Sequence, residues 1–187
     1  ESMRFMYKDV VNIDFIFFKS YEEANLFLIN QHSRPLLKYG FEYISNYENL
    51  LINNIHFDEM YYHLSNIPFQ KRWLDFYVER NIQRELKIFN YFNIKEKEYI
   101  FIHDVYSNET PNMKLNYMDK NIKTIIKPII GLTDNIFDYL YLIEHSKEIH
   151  CVCSSFKNLI DSLTTITPDT KLYFHKNRST FNKYKLW

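Results

Sequence analysis

Three pairs of polar residues stand at the ends of short apolar runs in the second half of this 187-residue chain. They are His103-Asp104, Ser154-Ser155, and His175 with Arg178 nearby. A histidine beside an aspartate can act as an acid/base pair or orient a hydroxyl group of a bound sugar. The same two residues can equally make local turn hydrogen bonds. Ser154-Ser155 opens a helical pattern in which Phe156, Leu159, Ile160 and Leu163 recur at i, i+3, i+4 and i+7. A helix start offers N–H groups without intrahelical acceptors and a partial positive charge, which suit a phosphate or diphosphate. The plainer reading is that Ser154 caps its helix.

Other constellations are weaker. Glu59 and His63 lie at i, i+4 with His56 and Asp58 near, superficially like metal ligands, but no third ligand stands at a convincing spacing. Cys151 and Cys153 lack a second thiol pair, so zinc is not expected. On a strand the two thiols share a face, and a disulfide between such close neighbours is badly strained. Reduced, buried cysteines fit a cytosolic setting. The segment from Arg72-Trp73 through Phe76-Tyr77 to Arg80 mixes guanidinium groups with aromatic rings. It can stack a base, hold a phosphate or form a packing seam between lobes.

These residues need a scaffold, and the pattern around them is that of an α/β protein. Tyr99–Ile102, Ile122–Ile126, Ile149–Cys153 and Lys171–His175 read as strands, separated by helical patterns after Thr133-Asp134-Asn135 and after Ser154. The helix after residue 135 is expected to bury Ile136, Leu140 and Ile143. Short apolar strands alternating with amphipathic helices imply βα units around a mostly parallel sheet, a Rossmann-like layered domain. Further upstream, the sequence predicts a strand at 13–18, a helix from Ser20 to about Asn30, and a short strand at 41–44. Helices follow from Phe57 and from Pro68 (PFQKRWLDFYV), and one near 80–92 places Ile82, Leu86 and Phe89 on one stripe. Residues 1–56 are expected to form a partial N-terminal lobe. Residues 57–187 would be the ligand-binding domain, with the segment 57–92 between the lobes.

Composition removes several function classes. The formal net charge is +0, so no whole-molecule field draws the chain to nucleic acid or an anionic membrane. No apolar run approaches the roughly 18 residues that span a bilayer. With Gly40 and Gly131 as its two glycines, the chain cannot build a GxGxxG fingerprint or a Walker loop. Heavy use of Asn, Ile, Lys, Phe and Tyr points to an AT-rich or viral genome.

Taken together, the stretches FDEMYYHLSNIPFQKRWLDFYVERN, YIFIHD, NIFDYLYLIEHSKEIHCVCSSFKNLID and KLYFH resemble bacterial and viral glycosyltransferase-like proteins. In wider outline they are similar to the donor-binding half of GT-B enzymes, fucosyltransferase-type ones included. The likeness covers most of residues 57–175. It implies a glycosyltransferase-like domain that binds a nucleotide-sugar as substrate, without a metal or other cofactor, and passes the sugar to a glycan or other hydroxyl acceptor in the cytoplasm (the host's, for a viral protein). By that resemblance His103 and Asp104 are the candidate catalytic residues. Ser154, Ser155 and Phe156 would hold the donor diphosphate, with Arg72 reaching in. The chain departs from the pattern in three places. VYSNET after Asp104 lacks the expected arginine, Cys153 replaces a polar or acidic residue, and the opening strand and Gly-rich turn of the first lobe are missing. Those departures imply the alternative of a fragment, or of a non-catalytic structural or interaction protein, virion-associated for instance, that keeps the fold.

Overall fold

The computed structural model describes residues 2–8, 10–12, 14–30, 55, 57–105, 113 and 118–175. Four strands, β1 (Tyr99–His103), β2 (Thr124–Ile126), β3 (Glu148–Val152) and β4 (Lys171–His175), form one sheet in the order β2-β1-β3-β4. Every neighbouring pair is parallel. The protein is therefore α/β with an all-parallel sheet, as the alternation of apolar runs and helical patterns predicts. His103 pairs in register with Cys151, and Val152 with His175.

Strand composition explains the order. All five residues of β3 are buried, as are Tyr99 to Ile102 of β1, so these two take the centre. β2 and β4 keep exposed or half-buried positions and form the edges. One sheet face, with Tyr99 and Phe101 of β1 and Ile149 and Cys151 of β3, carries the main core. Helices α5 (Ile82–Tyr91), α6 (Leu140–Glu144) and α7 (Ser155–Ser162) contribute Ile88, Leu140, Ile143, Leu159 and Ile160 to it. Each large side chain so buried contributes about 1.5–3 kcal/mol. The Tyr99 hydroxyl remains satisfied inside this core by donating to the Leu142 carbonyl at 2.5 Å.

Upstream lie α1 (Ser2–Met6), α2 (Tyr21–Ile29), α3 (Phe57–Leu64) and α4 (Lys71–Leu74). Ser20 caps α2 by accepting from the Glu23 N–H, as expected, while the Glu23 carboxylate accepts from Lys19 N–H rather than closing a full capping box. Phe5 of α1 stacks on Phe137 of the main core with ring centroids 5.7 Å apart. In α3, Met60 is fully buried.

Four expectations change. Residues 14–18 form no strand, since an apolar run becomes one only when a neighbour completes its hydrogen-bonded ladder. The helix expected from Pro68 to about Val78 shrinks to α4, because the chain straightens after Asp75 and delivers Phe76 and Val78 to the core. The segment after Asn135 starts as a 3-10 turn (Ile136–Tyr139) before becoming α6. That tighter winding buries Phe137 and Tyr139 beside Leu140 and Ile143, and leaves Ile136 half-buried. In α5 the buried positions are Glu85 and Ile88, with Ile82 exposed. The inward turn of Glu85 follows from Arg80, whose guanidinium pairs with both Glu85 and Glu144. The strand expected at 41–44 lies outside the described residues, as do Arg178 and the VYSNET loop beyond Val105.

Candidate functional site at the strand ends

The chain leaves β1 for β2 on one side and later crosses to β3 on the other, so the order reverses between β1 and β3. In open α/β sheets the crevice at such a switch point, beyond the carboxyl ends of the strands, is where ligands bind. His103 ends β1 and Ser154 follows β3, which places both at this point.

Alternation along β1 puts His103 on the same face as Tyr99 and Phe101, at the carboxyl edge of the core. Its ring stacks on Phe156 with centroids 4.5 Å apart. Ser154 has extended backbone angles (φ −159, ψ 174) and caps α7, its Oγ accepting from Lys157 N–H at 3.3 Å. The same Oγ lies 3.1 Å from His103 Nδ1 and 3.2 Å from the Val152 carbonyl. Burial pushes the His103 pKa down to about 4, outweighing the opposite pull of Asp104. Ser154 Oγ has one proton for two neighbours, so the neutral imidazole holds its own proton on Nδ1 when the hydroxyl donates to the Val152 carbonyl and on Nε2 when it donates to the ring. In either case Nε2 is the ring nitrogen left for whatever meets its far edge.

The cap itself is thus Ser154, and Ser155 is the first helical residue, with an exposed side chain. The N–H groups of Ser155 and Phe156 belong to the first turn, which has no intrahelical acceptors. Together with the helix dipole they give this helix start a partial positive charge beside the His103 ring. Phe156 itself is buried, packed between His103, Phe101 and Tyr139 rather than presented to solvent.

Asp104 and Arg72 are placed differently. Asp104 pairs with Lys127, the residue directly after β2, so no hydrogen bond joins it to His103. Lys127 brings a cation to the strand ends that sequence reasoning passed over, although its place between Ile126 and Pro128 marked it as a strand-end residue. Arg72 is engaged on the flank of α7. Its Nη2 donates to Asn158 Oδ1 at 3.0 Å and lies 3.9 Å from Asp161 Oδ2. Trp73 Nε1 donates to the same Asp161 oxygen at 2.9 Å, and buried Lys157 stands 3.8 Å away. The aromatic and guanidinium segment is a packing seam between α4 and α7.

Among the described residues no group of three or more His, Cys, Asp or Glu side chains is placed to hold a metal ion. Cys151 is buried, and burial drives its thiol up to about 12, which makes it inert. No described helix is long and apolar enough to cross a membrane. A cleft of about 130 Å³ near Phe76, Arg80, Glu144 and Thr165 lies at the opposite, amino-terminal end of the sheet, with its charged groups paired to one another.

The chain matches no protein-family model, no curated protein and no solved structure.

Proposed function

We propose that this domain binds a nucleotide-sugar at the strand ends of its parallel sheet, without a metal, and transfers the sugar to a hydroxyl acceptor such as a glycan. The single observation that carries the reading is the Ser154–His103 contact at the switch point. It sets a helix N-terminus and an imidazole side by side where such sheets take ligands. In this reading the N–H groups of Ser155 and Phe156 hold the diphosphate, and His103 Nε2 meets a sugar hydroxyl or a phosphate beside it. Lys127 balances Asp104 at the rim. The unbridged, buried thiol of Cys151 supports a reducing, cytoplasmic setting.

A structural or interaction protein that keeps the fold without the reaction is favoured by one feature. Val105, Ile125, Ile129 and Ile130 are exposed around the β2 edge, Ile130 almost completely. An apolar rim of this kind suits a partner protein.

Thermal unfolding in the presence of UDP, GDP, UDP-glucose and GDP-fucose separates the two. Ligand at about 100 times its dissociation constant adds about 2.7 kcal/mol of stability, a shift of several degrees. No shift with any of the four compounds eliminates the transferase reading.

A further inference from the structure

The second face of the sheet carries polar side chains where a parallel sheet ordinarily buries aliphatic ones. Alternation places Glu148 and His150 of β3 there, beside Tyr173 and His175 of β4. Glu148 and His150 are wholly buried. Glu148 Oε1 accepts from Lys171 Nζ at 3.2 Å, and Oε2 accepts from Asp119 N–H at 3.1 Å. The same Oε2 lies 3.4 Å from His150 Nε2. His150 Nδ1 is 3.0 Å from His175 Nε2, and the His150 ring stacks on Tyr173 with centroids 4.6 Å apart. Among the described residues, the charged groups around the two histidines are Glu148 and Lys171, with Asp119 next to them.

The tautomers follow in order. An ionised carboxylate only accepts, so His150 Nε2 carries the proton directed at Glu148. Burial holds both imidazoles below their ordinary pKa, so both are neutral at pH 7. His150 Nδ1 is then a lone pair, His175 Nε2 must donate to it, and His175 Nδ1 is left with the lone pair. Three side chains in sequence thus deliver one basic nitrogen at the carboxyl end of β4. Packing alone requires none of this, because aliphatic side chains would fill the same space without buried polar groups to satisfy.

We propose that His175 Nδ1 is the general base of the strand-end site, positioned through His150 by the Glu148 carboxylate. The assignment rests on the transferase reading. The acceptor hydroxyl gives its proton to Nδ1 as its oxygen bonds to the anomeric carbon. The bond from that carbon to the diphosphate oxygen breaks, and its electron pair leaves with the diphosphate. The imidazolium formed on His175 donates through Nε2–H to His150, whose own N–H faces the Glu148 charge, and the proton later passes to solvent.

The test uses the full chain and three readouts, ring NMR, nucleotide release and Tm. Ring ¹H–¹⁵N spectra should show protons on Nε2 of both His150 and His175. Glu148→Gln should lower the His175 titration midpoint, whereas Lys171→Met, at a side chain half exposed to solvent, should raise it. Those two shifts follow from the neighbouring charges alone, and the order of hydrogen bonds is read from the tautomers. UDP release from UDP-glucose and GDP release from GDP-fucose should fall about a hundredfold or more in His175→Gln while the nucleotide-induced rise in Tm stays. A His175 Nδ1–H tautomer, or a midpoint that neither variant moves, overturns the relay whether or not nucleotides bind. Unchanged release by His175→Gln, or a wild type that binds nucleotide and releases nothing, overturns the base while leaving donor binding intact. If no nucleotide raises Tm, the transferase reading itself fails and the base role goes with it.

Discussion

Ser154 Oγ lies 3.1 Å from His103 Nδ1, so the hydroxyl that starts the helix after β3 is tied across the switch point to the residue ending β1. The contact couples two structural duties. Ser154 satisfies the Lys157 N–H as a helix cap, and it gives the half-buried imidazole a hydrogen-bond partner. Replacing Ser154 with Ala should cost about 1 kcal/mol from the cap, with a further loss from the orphaned His103 nitrogen. Urea unfolding measures the sum, and a variant as stable as wild type would show that the contact carries no weight.

Stability should also fall in acid through His103. Its folded pKa of about 4 lies below the ordinary 6.5. Between those values the unfolded chain binds a proton that the folded chain refuses. The full stability is therefore present above pH 6.5 and declines as pH drops toward 4. With the partial solvent access of the ring, the loss is on the order of 1–3 kcal/mol. His150 and His175 shift in the same direction and steepen the decline. Unfolding at pH 7 and pH 5 should show a smaller difference for His103→Gln than for wild type. Equal differences would remove His103 from the account.

The seam between α4 and α7 gives a prediction of the opposite kind, structural rather than functional. Lys157, Arg72 and Trp73 share the buried Asp161 carboxylate. Removing one partner of a buried ionic cluster costs about 3–5 kcal/mol. Asp161→Ala should lose stability of that order, while any nucleotide-induced rise in Tm persists in the variant at a temperature where it is folded. Loss of the nucleotide response from a still-folded Asp161→Ala protein would return Arg72 to the ligand site.

The sheet was legible because YIFIH and the run at 149–153 are short, apolar and bounded, and because Ser154 precedes a clean helical stripe. Positions 148 and 150 also carried a readable signal. Two polar residues at period 2 within a buried strand must share a face, and His175 at a strand end completes the set. What escaped the sequence is long-range pairing. Arg72 meets Asn158 across 86 positions, and Asp104 meets Lys127 across 23. Glu85 reads as a solvent residue until Arg80 and Glu144 are seen around it, which is why the stripe of α5 was misplaced. Residues 14–18 show the converse, since strand propensity alone does not supply a neighbouring strand.

Ligand binding at the strand ends is expected to be independent of divalent cations, because the groups that meet the ligand are backbone N–H groups, an imidazole and a lysine. The thermal response to UDP or GDP should be the same in EDTA as in magnesium. A response that vanishes in EDTA and returns with magnesium or manganese would mean that a metal neutralises the diphosphate instead.

Ser155 offers the sharpest separation of ligand binding from folding. It is the first residue of α7 and its side chain is exposed, while the capping bond belongs to Ser154. An aspartate at this position faces the positive end of the helix dipole, which stabilises by about 0.3–1 kcal/mol. Ser155→Asp should therefore melt no lower than wild type. A diphosphate held by the Ser155 and Phe156 N–H groups would meet the new carboxylate at close range. Two unit charges about 4 Å apart at an effective dielectric near 20 repel by roughly 4 kcal/mol, near a thousandfold in affinity before screening. Added salt should recover part of that loss, since the repulsion is partly exposed. Melting temperature and UDP affinity measured on the same variant decide the matter. An unchanged melting temperature with affinity lost places the diphosphate at this turn, and unchanged affinity leaves Ser154-Ser155 as a helix start and nothing more.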